Sequence, residues 1–338
     1  MKYVMLKNSF GIEHLSIGSG PEPRPSDDEI LVRMKADSLN YVDLAVVTGK
    51  LDPAIQLPFI PVADGAGVVM EVGPQVQGFR PGDRVSTLYI PSWRGGRYRR
   101  EHTPLGIRPG AGVVPGQLSE YKTFRTQELI RVPDSLSFAE ASTLPIAGLT
   151  AWNALAYGRI KAGDTVLLHG TGGVSIFALQ FAKMFGARVI ITSSDDEKLE
   201  RAICLGADST INYKHQPDAS EEIMRITDHQ GVDLVVETVG GHNLQQSLNA
   251  LRPQGHISVV GFLSGVEASV NLIALNLNRA TITGISVGST DDFTDMLTAI
   301  SAHGMKPVID STFPLDRTVD AFKRLESGKH FGKVVIEL

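Results

Sequence analysis

A glycine-rich turn between an apolar strand and an apolar helix constrains the fold of this chain most strongly. Residues 169–175 read His-Gly-Thr-Gly-Gly-Val-Ser, between the strand-forming run 165–168 and the apolar run 176–186. A second strand-forming run follows at residues 188–192. This order predicts a βαβ unit whose glycines let the backbone approach a pyrophosphate at the helix N-terminus. We expect the cofactor to contact Thr171, Gly172, Gly173 and Val174.

The pattern around this turn alternates between strands and helices from about residue 137 onward. The predicted strands are 165–169, 188–192, 209–212, 233–238, 255–260 and 281–287. The predicted helices between most of them are 173–185, 195–205, 219–229 and 242–251. Strands and helices in this alternation indicate an α/β fold with a doubly wound parallel sheet.

The two ends of the chain have a different character. Short strands broken by Gly and Pro are predicted at 30–36, 66–72 and 83–88, and a last strand at 333–338. A chain of 338 residues is also long for a single core. We therefore predict a β-rich domain formed by residues 1–123 and 305–338, and a dinucleotide-binding domain formed by residues 124–304.

Composition excludes several classes of function. A formal net charge of -5 argues against an electrostatic nucleic-acid binder. No apolar run approaches the ~18 residues that span a bilayer, and the N-terminus does not resemble a signal peptide, so we expect a cytoplasmic protein without a membrane partner. The single cysteine, Cys204, allows no internal disulfide, and we expect its thiol to be buried on a packed helix.

Several short motifs together resemble a known family. They are Gly82-Asp83-Arg84-Val85, Leu149-Thr150-Ala151, the turn Gly170-Thr171-Gly172-Gly173-Val174, Leu205-Gly206-Ala207-Asp208 and the terminal Gly332-Lys333-Val334-Val335. With the β-rich first segment, this order resembles the medium-chain dehydrogenase/reductase superfamily, most of all its zinc-independent quinone oxidoreductase and enoyl reductase branch. Some alcohol-dehydrogenase-like sequences are also similar. The resemblance implies a GroES-like catalytic domain and an inserted Rossmann domain.

The resemblance also predicts that zinc is absent. Zinc-dependent members present a Cys three residues before an Asp, a His in a Gly-His-Glu-Gly-Ala-Gly run, and a third ligand four residues before a Thr. The matching positions here are Asn40, Ala63 and Ile146. Amide and alkyl side chains do not hold Zn²⁺, which takes thiolate, imidazole or carboxylate ligands. Next to Ala63, Asp64 is a single carboxylate, which we interpret as a hydrogen-bonding group of the domain core.

Without zinc, hydride transfer to a carbonyl needs another way to stabilise charge on oxygen. Conjugated enones and quinones delocalise that charge, so metal-free members are suited to these substrates. We expect Asn40 to donate to a substrate oxygen or to the nicotinamide ribose. Tyr41 is either a proton donor or a packed core residue, and Asp43 accepts from either the backbone or ribose hydroxyls.

NADP(H) is the expected cofactor. NAD-binding domains place an acid at the tip of the second strand, where this chain has Ser193-Ser194, and Asp195 and Asp196 are expected to cap the next helix. The Ser pair leaves room for a 2′-phosphate, and relatives that use NADPH resemble the pattern of Ser, Lys198 and Tyr213. The remaining cofactor contacts are expected at strand ends or nearby: Thr150, Val239, Gly261, Phe262, Leu263, Val287 and Gly288. We interpret His169 as a core histidine, since the sequence shows no carboxylate partner for it.

These observations favour a metal-free NADPH-dependent oxidoreductase acting on small quinones, enones or related carbonyls. The alternatives are a zinc-independent alcohol dehydrogenase and a non-catalytic NADPH-binding protein. An apolar edge strand at 281–287 predicts a homodimer, or a homotetramer built from one. The arginine-rich segment 91–116 is either a solvated surface lobe, an arm on a second subunit, or a cover over the active site.

Overall fold

The computed structural model describes residues 1–102, 108–216 and 218–338, and these fall into two compact units. The first unit combines Met1–Leu149 with Val287–Leu338, and the second is Thr150–Ser286. The predicted domain limits were 123/124 and 304/305. The division lies elsewhere because the strands Tyr121–Arg125 and Leu129–Arg131 pair within the sheet of the first unit.

The second unit contains a parallel sheet with the doubly wound strand order. Counted over the described residues, six strands lie side by side and each neighbouring pair is parallel. Across the sheet they are Ser209–Asn212, Arg188–Ser193, Thr165–His169, Val232–Glu237, Leu251–Val259 and Thr281–Gly284. The order reverses beside Thr165–His169, which is where such sheets bind ligands. The predicted Rossmann architecture is confirmed.

Apolar side chains on both faces of this sheet explain why these runs become central strands. One face carries a buried cluster with Leu167, Ile190, Val235 and Ile257, and the other carries the buried Leu168, Ile191 and Val236. The helices that accompany the sheet are Leu149–Tyr157, Gly173–Met184, Asp196–Cys204, Ala219–Ile226, Asn243–Ala250 and Leu272–Leu277.

Two sequence-based expectations for this unit are wrong. Cys204 is exposed, because the buried positions of its helix are Leu199 and Ala202 and Cys204 lies off that stripe. The last strand ends at Gly284 instead of residue 287. Ile285 still donates its N–H to Val259, but Val287 takes a φ of 60°, a left-handed conformation that cannot continue a strand.

The first unit is built on antiparallel β-structure. Lys2–Leu6 pairs with Leu15–Ser19 in a separate small sheet. The main sheet runs in the order Ile309–Pro314, Lys333–Glu337, Glu29–Leu39, Asp64–Val72, Arg84–Thr87 and Leu129–Arg131, with Tyr121–Arg125 also paired to Glu29–Leu39. The predicted strands at 30–36, 66–72, 83–88 and 333–338 all lie in this sheet. The GroES-like half of the predicted fold is therefore confirmed.

Helices close the ends of this β-structure. The bounds are Tyr41–Val47, Phe138–Ser142, the π-helical turn Leu144–Gly148, Thr290–His303 and Thr318–Glu326, with short 3₁₀ turns at Ile12–His14, Arg100–His102, Thr126–Glu128 and Leu315–Arg317. Across the described ranges, no helix is both long and apolar enough to cross a membrane.

The described part of the arginine-rich segment is anchored at both ends, since Pro109, Gly110 and Gly116 are buried and the Gly116 N–H donates to the Ile60 carbonyl. The carbonyl groups of Trp93 and Arg94 accept from Thr290 and Asp291 at the start of the helix Thr290–His303. Trp93 is buried, and its ring meets those of Tyr98 and His102 at 4.9 and 6.2 Å between centroids. The arginines from 94 to 100 are exposed, as expected of a surface lobe, and residues 103–107 lie outside the described residues.

Candidate active site

Asn40 lies where the longest strand of the first unit gives way to a helix. The strand Glu29–Leu39 ends directly before it, and Tyr41–Val47 begins directly after it. Asn40 is extended (φ -124°, ψ 164°), and its backbone N–H donates to Asp43 Oδ2 at 2.7 Å. Asn40 is buried, with 8% of its surface exposed.

Asp43 stabilises this corner by accepting hydrogen bonds from the backbone. Its side chain is fully buried, and its second oxygen accepts from the Ala63 N–H at 2.9 Å. Burial raises its pKa to about 6, although hydrogen bonds from Asn40 and Ala63 and the nearby Lys333 ammonium oppose the shift. These contacts are those expected if Asp43 accepts from the backbone.

A lysine and a second aspartate hold the Asn40 side chain from both sides. Lys333 Nζ donates to Asn40 Oδ1 at 2.6 Å and to the Leu39 carbonyl at 2.7 Å. Asn40 Nδ2 in turn donates to Asp64 Oδ2 at 2.8 Å, and that oxygen also accepts from the Ile146 N–H at 3.2 Å. Asp64 is thus a hydrogen-bonding group of the core, as expected.

Burial dominates the electrostatics of this cluster. It raises the pKa of Asp64 to about 7, against the attraction of Lys333, and it lowers the pKa of Lys333 to about 8, against the attraction of Asp64 and Asp43. Asp64 Oδ1 is buried and has no hydrogen-bond partner among the described residues. The ammonium and the two carboxylates form one interacting group whose protonation states depend on each other.

Lys333 was not predicted as a site residue. A signal was present, because a lysine opens an otherwise apolar run, Val334-Val335-Ile336, that was predicted to complete the core. Its partner is 293 residues away in sequence, and Val334 pairs with Leu39 in the sheet, which sets Lys333 beside Asn40.

Tyr41 is half exposed, at 50% of its surface, at the first position of the helix that follows Asn40. The core-packing alternative for this residue is therefore wrong. As an exposed residue next to Asn40 in sequence, Tyr41 has a phenol that can donate a hydrogen bond or a proton to a bound molecule.

A catalytic zinc ion does not fit this corner. Where a metal ligand would stand, the Asn40 amide is bound to an ammonium, and the buried Ala63 and the adjacent Ile146 offer alkyl side chains. A search of the described residues finds no group of three His, Cys, Asp or Glu side chains placed to hold a metal ion.

The glycine-rich turn of the second unit has the shape of a phosphate cradle. Gly170 has a φ of 73°, and a Cβ there would project into open space. The helix Gly173–Met184 follows with Gly172 as its N-cap, and within the described chain no side chain caps its first N–H groups. An uncapped helix N-terminus behind a glycine turn suits a dinucleotide pyrophosphate, and Thr171 and Val174 lie in the same stretch.

A buried carboxylate supports the neighbouring loop. Glu237 ends the strand next to Thr165–His169 and accepts from the N–H groups of Val239 and Gly240 at 2.7 and 3.0 Å. Its other oxygen accepts from Asn243 Nδ2 at 2.8 Å and from the Ser247 hydroxyl. Burial would raise its pKa, but the attraction of His169 and these hydrogen bonds outweigh it, so the pKa lies below the ordinary value.

His169 belongs to this network, which corrects the prediction that it has no carboxylate partner. Its Nε2 lies 2.9 Å from Ser247 Oγ and 3.6 Å from Glu237 Oε2. Burial lowers the pKa of His169 below its usual range, so the ring is neutral at pH 7. Since Ser247 donates to Glu237, it accepts from His169, and the proton of the neutral ring lies on Nε2.

The second strand ends at Ser193, and of the two acids that follow, Asp195 caps the next helix as predicted, whereas Asp196 is exposed and is not a cap. Asp195 caps the next helix by accepting from the Lys198 N–H, and Asp196 accepts from Asn212 Nδ2 at 2.7 Å. Tyr213 donates its N–H to the Ser193 carbonyl, which brings its half-exposed ring next to the Ser193-Ser194 tip. Ser194 and Lys198 are partly exposed on the same turn.

The remaining predicted cofactor residues are divided between the units. Thr150 is buried, Val239 lies on the loop that Glu237 supports, and Gly261 donates its N–H to the Glu237 carbonyl. Phe262 and Leu263 are exposed beside Gly261. Val287 and Gly288 follow the last strand and lie at the start of the second segment of the first unit.

Comparison with known proteins identifies the family. The model of the alcohol dehydrogenase GroES-like domain matches residues 26–134, and that of the zinc-binding dehydrogenase matches residues 173–302. A zinc-type alcohol dehydrogenase-like protein of Schizosaccharomyces pombe is 39% identical over 100% of this chain and 99% of its own length. The chain belongs to the medium-chain dehydrogenase/reductase superfamily.

Two solved structures of this superfamily span the whole chain. An NAD-dependent alcohol dehydrogenase is 34% identical with a TM-score of 0.89, covering 100% of both chains. The quinone oxidoreductase of Escherichia coli complexed with NADPH is 26% identical with a TM-score of 0.82, also covering 100% of both chains. The protein is thus an oxidoreductase of this superfamily, its cofactor is of the NAD(P) class, and its substrates are small molecules.

Proposed function

We propose that the protein is a metal-free, NADPH-dependent reductase of enones, quinones or related carbonyl compounds. The observation that supports it most is the Asn40 amide, held between Lys333 and Asp64 at the position where zinc-dependent relatives carry a thiolate ligand. A substrate that delocalises its own developing charge needs hydrogen-bond donors in place of a Lewis acid.

In the proposed reaction, a hydride adds to the β-carbon of an enone and the electron pair moves to the carbonyl oxygen. Bound reduced nicotinamide supplies that hydride. One N–H of Asn40 Nδ2 donates a hydrogen bond to Asp64, and the other N–H makes only a 3.5 Å contact with the Ser38 carbonyl. This second N–H is the donor we assign to the substrate oxygen. Tyr41 is the proposed proton donor that completes the saturated product.

The choice of NADPH rests on the strand tip in the second unit. Both neighbouring acids are engaged, Asp195 in a helix cap and Asp196 with Asn212, so neither takes the place of the acid that binds a ribose 2′-hydroxyl. Ser194, Lys198 and Tyr213 offer hydroxyl and ammonium donors that suit a phosphate.

Turnover with NADPH and a panel of carbonyls, followed at the nicotinamide absorbance, tests this function. An enone reductase converts a simple enone to the saturated ketone, whereas an alcohol dehydrogenase interconverts the enone and the matching allylic alcohol. The product formed therefore separates the two enzymatic possibilities. Tight NADPH binding without turnover on any substrate would instead support a non-catalytic role.

Asn40→Ala is the matching variant. It should lower kcat by about 100-fold, the usual cost of losing a donor to a developing oxyanion, while changing the NADPH dissociation constant little. Asn249→Ala, which removes an exposed amide on the helix Asn243–Ala250, should leave both unchanged. Equal kinetics for Asn40→Ala and the parent would remove Asn40 from the site.

We also propose that the protein assembles as a homodimer through the edge of the parallel sheet. The strand Thr281–Gly284 ends the sheet, and Ile285 donates inward to Val259, so the N–H groups of Ile282 and Gly284 point to the open edge. Large apolar side chains are exposed just before this strand, at Val266, Leu272, Ile273 and Leu277. Such an edge and patch favour pairing with a second copy.

Gly284→Pro tests this interface, because it removes an outward N–H at a position where a side chain meets open space. Gly284→Ala is the control, since it keeps the N–H. Sedimentation at micromolar concentration should show a dimer for the parent and the control and a monomer for Gly284→Pro. A monomeric parent would contradict the proposal.

A further inference from the structure

The orientation of the Asn40 amide is fixed by two neighbours, because one is a hydrogen-bond donor and the other is an acceptor. Lys333 is a donor only, so the atom it contacts at 2.6 Å must be the amide oxygen. Asp64 Oδ2, as a carboxylate oxygen, accepts, so the atom 2.8 Å from it must be the amide nitrogen. Rotation of the amide by half a turn would set an N–H against the ammonium and the oxygen against the carboxylate.

Lys333 is linked to the candidate site through Asn40. Lys333 is 2% exposed and Asp64 is fully buried, and Asn40, at 8%, is the most exposed of the three. Lys333 contacts the Leu39 carbonyl and Asn40 Oδ1, both at the corner where strand becomes helix. A cation bound to the oxygen of an amide also withdraws electrons from it and strengthens its N–H groups as donors.

A lysine that only balanced the negative charge of Asp43 and Asp64 would not need to contact the Asn40 side chain. Lys122 provides the comparison within the same unit: its Nζ donates to the carbonyls of Pro115 and Gly116, both at 2.8 Å, and burial lowers its pKa to about 8 as well. Both lysines are desolvated and both have backbone partners. Lys333 differs in its bond to the side chain of a candidate site residue.

We propose that Lys333 is a positioning residue: its ammonium holds the Asn40 amide with Nδ2 presented to the substrate oxygen, at the corner where zinc-dependent relatives bind their metal. This inference rests on the proposed function for its catalytic consequence. The orientation of the amide can be measured without any turnover.

A double-mutant cycle on Lys333 and Asn40 tests the catalytic consequence. Lys333→Met keeps the length of the side chain and removes the donor, and it should lower kcat/KM by about 10- to 100-fold, the usual cost of a misplaced reacting group, mainly through kcat. In an Asn40→Ala background the same change should cost almost nothing, because the group it positions is already absent. Lys122→Met is the matched control and should not reduce kcat/KM in this way.

A loss of the full factor in the Asn40→Ala background would show that Lys333 acts on the fold as a whole and would overturn the proposal. Lys333→Met deprives the buried Asp64 carboxylate of its nearby cation, and that loss alone can prevent folding. In that case the double variant Lys333→Met, Asp64→Asn, which removes the carboxylate charge, takes the place of Lys333→Met in the cycle.

The side-chain amide resonances of Asn40, assigned by their loss in Asn40→Ala, give a readout independent of activity. In the parent they should be well resolved and exchange slowly with solvent, and in Lys333→Met they should shift and exchange faster. Unchanged resonances would overturn the proposal even if turnover falls. Changed resonances in a protein whose parent shows no turnover would support the positioning of the amide while contradicting the proposed function.

Discussion

Each of the two units buries a carboxyl group near its candidate site, but the pKa values of the two groups are shifted in opposite directions. In the second unit, Glu237 accepts from two backbone N–H groups, an amide and a hydroxyl, and its pKa is lowered despite complete burial. In the first unit, Asp64 has two donors on one oxygen and none on the other within the described chain, and its pKa is raised to about 7.

The difference follows from the number of donors that each fold provides. A carboxylate in a protein interior stays ionised when hydrogen bonds replace the water it has lost. The loop and helix after Glu237 supply two backbone and two side-chain donors, so the carboxylate stabilises this loop. At the corner around Asn40, Asp64 keeps one oxygen without a donor among the described residues and is stabilised as an anion mainly by the charge of Lys333, which makes this cluster sensitive to pH and to substitution.

Removing the Glu237 carboxylate should have the largest effect. Glu237→Ala leaves the N–H groups of Val239 and Gly240 and the Asn243 amide without their acceptor, and it should destabilise the protein by about 3–5 kcal/mol. Dinucleotide affinity should fall as the loop loosens. Urea unfolding and cofactor titration measure the two effects.

Glu237→Gln is the matched variant that sharpens this test. Its amide oxygen can still accept from Val239 and Gly240, while its NH₂ group replaces the oxygen that accepts from Asn243 and Ser247, so the cost should be about 2–3 kcal/mol, below that of Ala. If Gln is as damaging as Ala, the two backbone N–H groups contribute little to the stability of the loop.

Asp64→Asn should change how stability depends on pH. The pKa of Asp64 in the folded protein is about 7, above its ordinary value of 3.8, so between about pH 4 and pH 7 the folded state holds a proton that the unfolded state has released. The stability that protonated Asp64 contributes is complete below about pH 4 and is lost as the pH rises through 7. The Tm of Asp64→Asn relative to the parent should therefore increase between pH 5 and pH 8, by on the order of 5 °C.

Comparison of the two pH values cancels any constant cost of the new amide. Lys333, whose pKa is lowered to about 8, titrates at the upper end of this range, so most of the change should already be present at pH 7. Asp208→Asn is the control, because Asp208 binds Lys183 at 2.7 Å and its pKa is lowered, so its contribution is lost only in acid. A Tm difference for Asp64→Asn that is the same at both pH values would mean that Asp64 ionises normally.

Most of the fold could be predicted from sequence because the second unit is built from contiguous apolar runs. The four central strands, Arg188–Ser193, Thr165–His169, Val232–Glu237 and Leu251–Val259, contain runs rich in Val, Ile and Leu, since strands covered on both faces are largely apolar. The last strand was predicted three residues too long, because the left-handed φ of Val287 has no signal in a β-branched residue.

The sites were predictable only where neighbours in sequence define them. The glycine turn and the Asp195 cap depend on residues a few positions apart, and their patterns identified them. Lys333 and Asn40 are 293 residues apart, and His169 and Ser247 are 78 apart. Strand register decides the first contact, and the packing of the helix Asn243–Ala250 on the sheet decides the second. A buried charge in an apolar strand was the one available signal for such partners, and it does not say which residue the partner is.

The smallest of these effects should come from Lys198, whose side chain is partly exposed at the cofactor site. Lys198→Ala should weaken NADPH binding by about 1–2 kcal/mol and leave NADH nearly unchanged, because only the 2′-phosphate meets its ammonium charge. Calorimetric titration with both dinucleotides measures this difference. Gly173→Val is the control, since a side chain at the start of the helix Gly173–Met184 should weaken both dinucleotides alike. Equal losses for both dinucleotides in Lys198→Ala would show that this unit does not use Lys198 to read the phosphate. The contrast with the first unit would then be sharper, because cofactor binding would rest on the backbone turn and its Glu237 support alone.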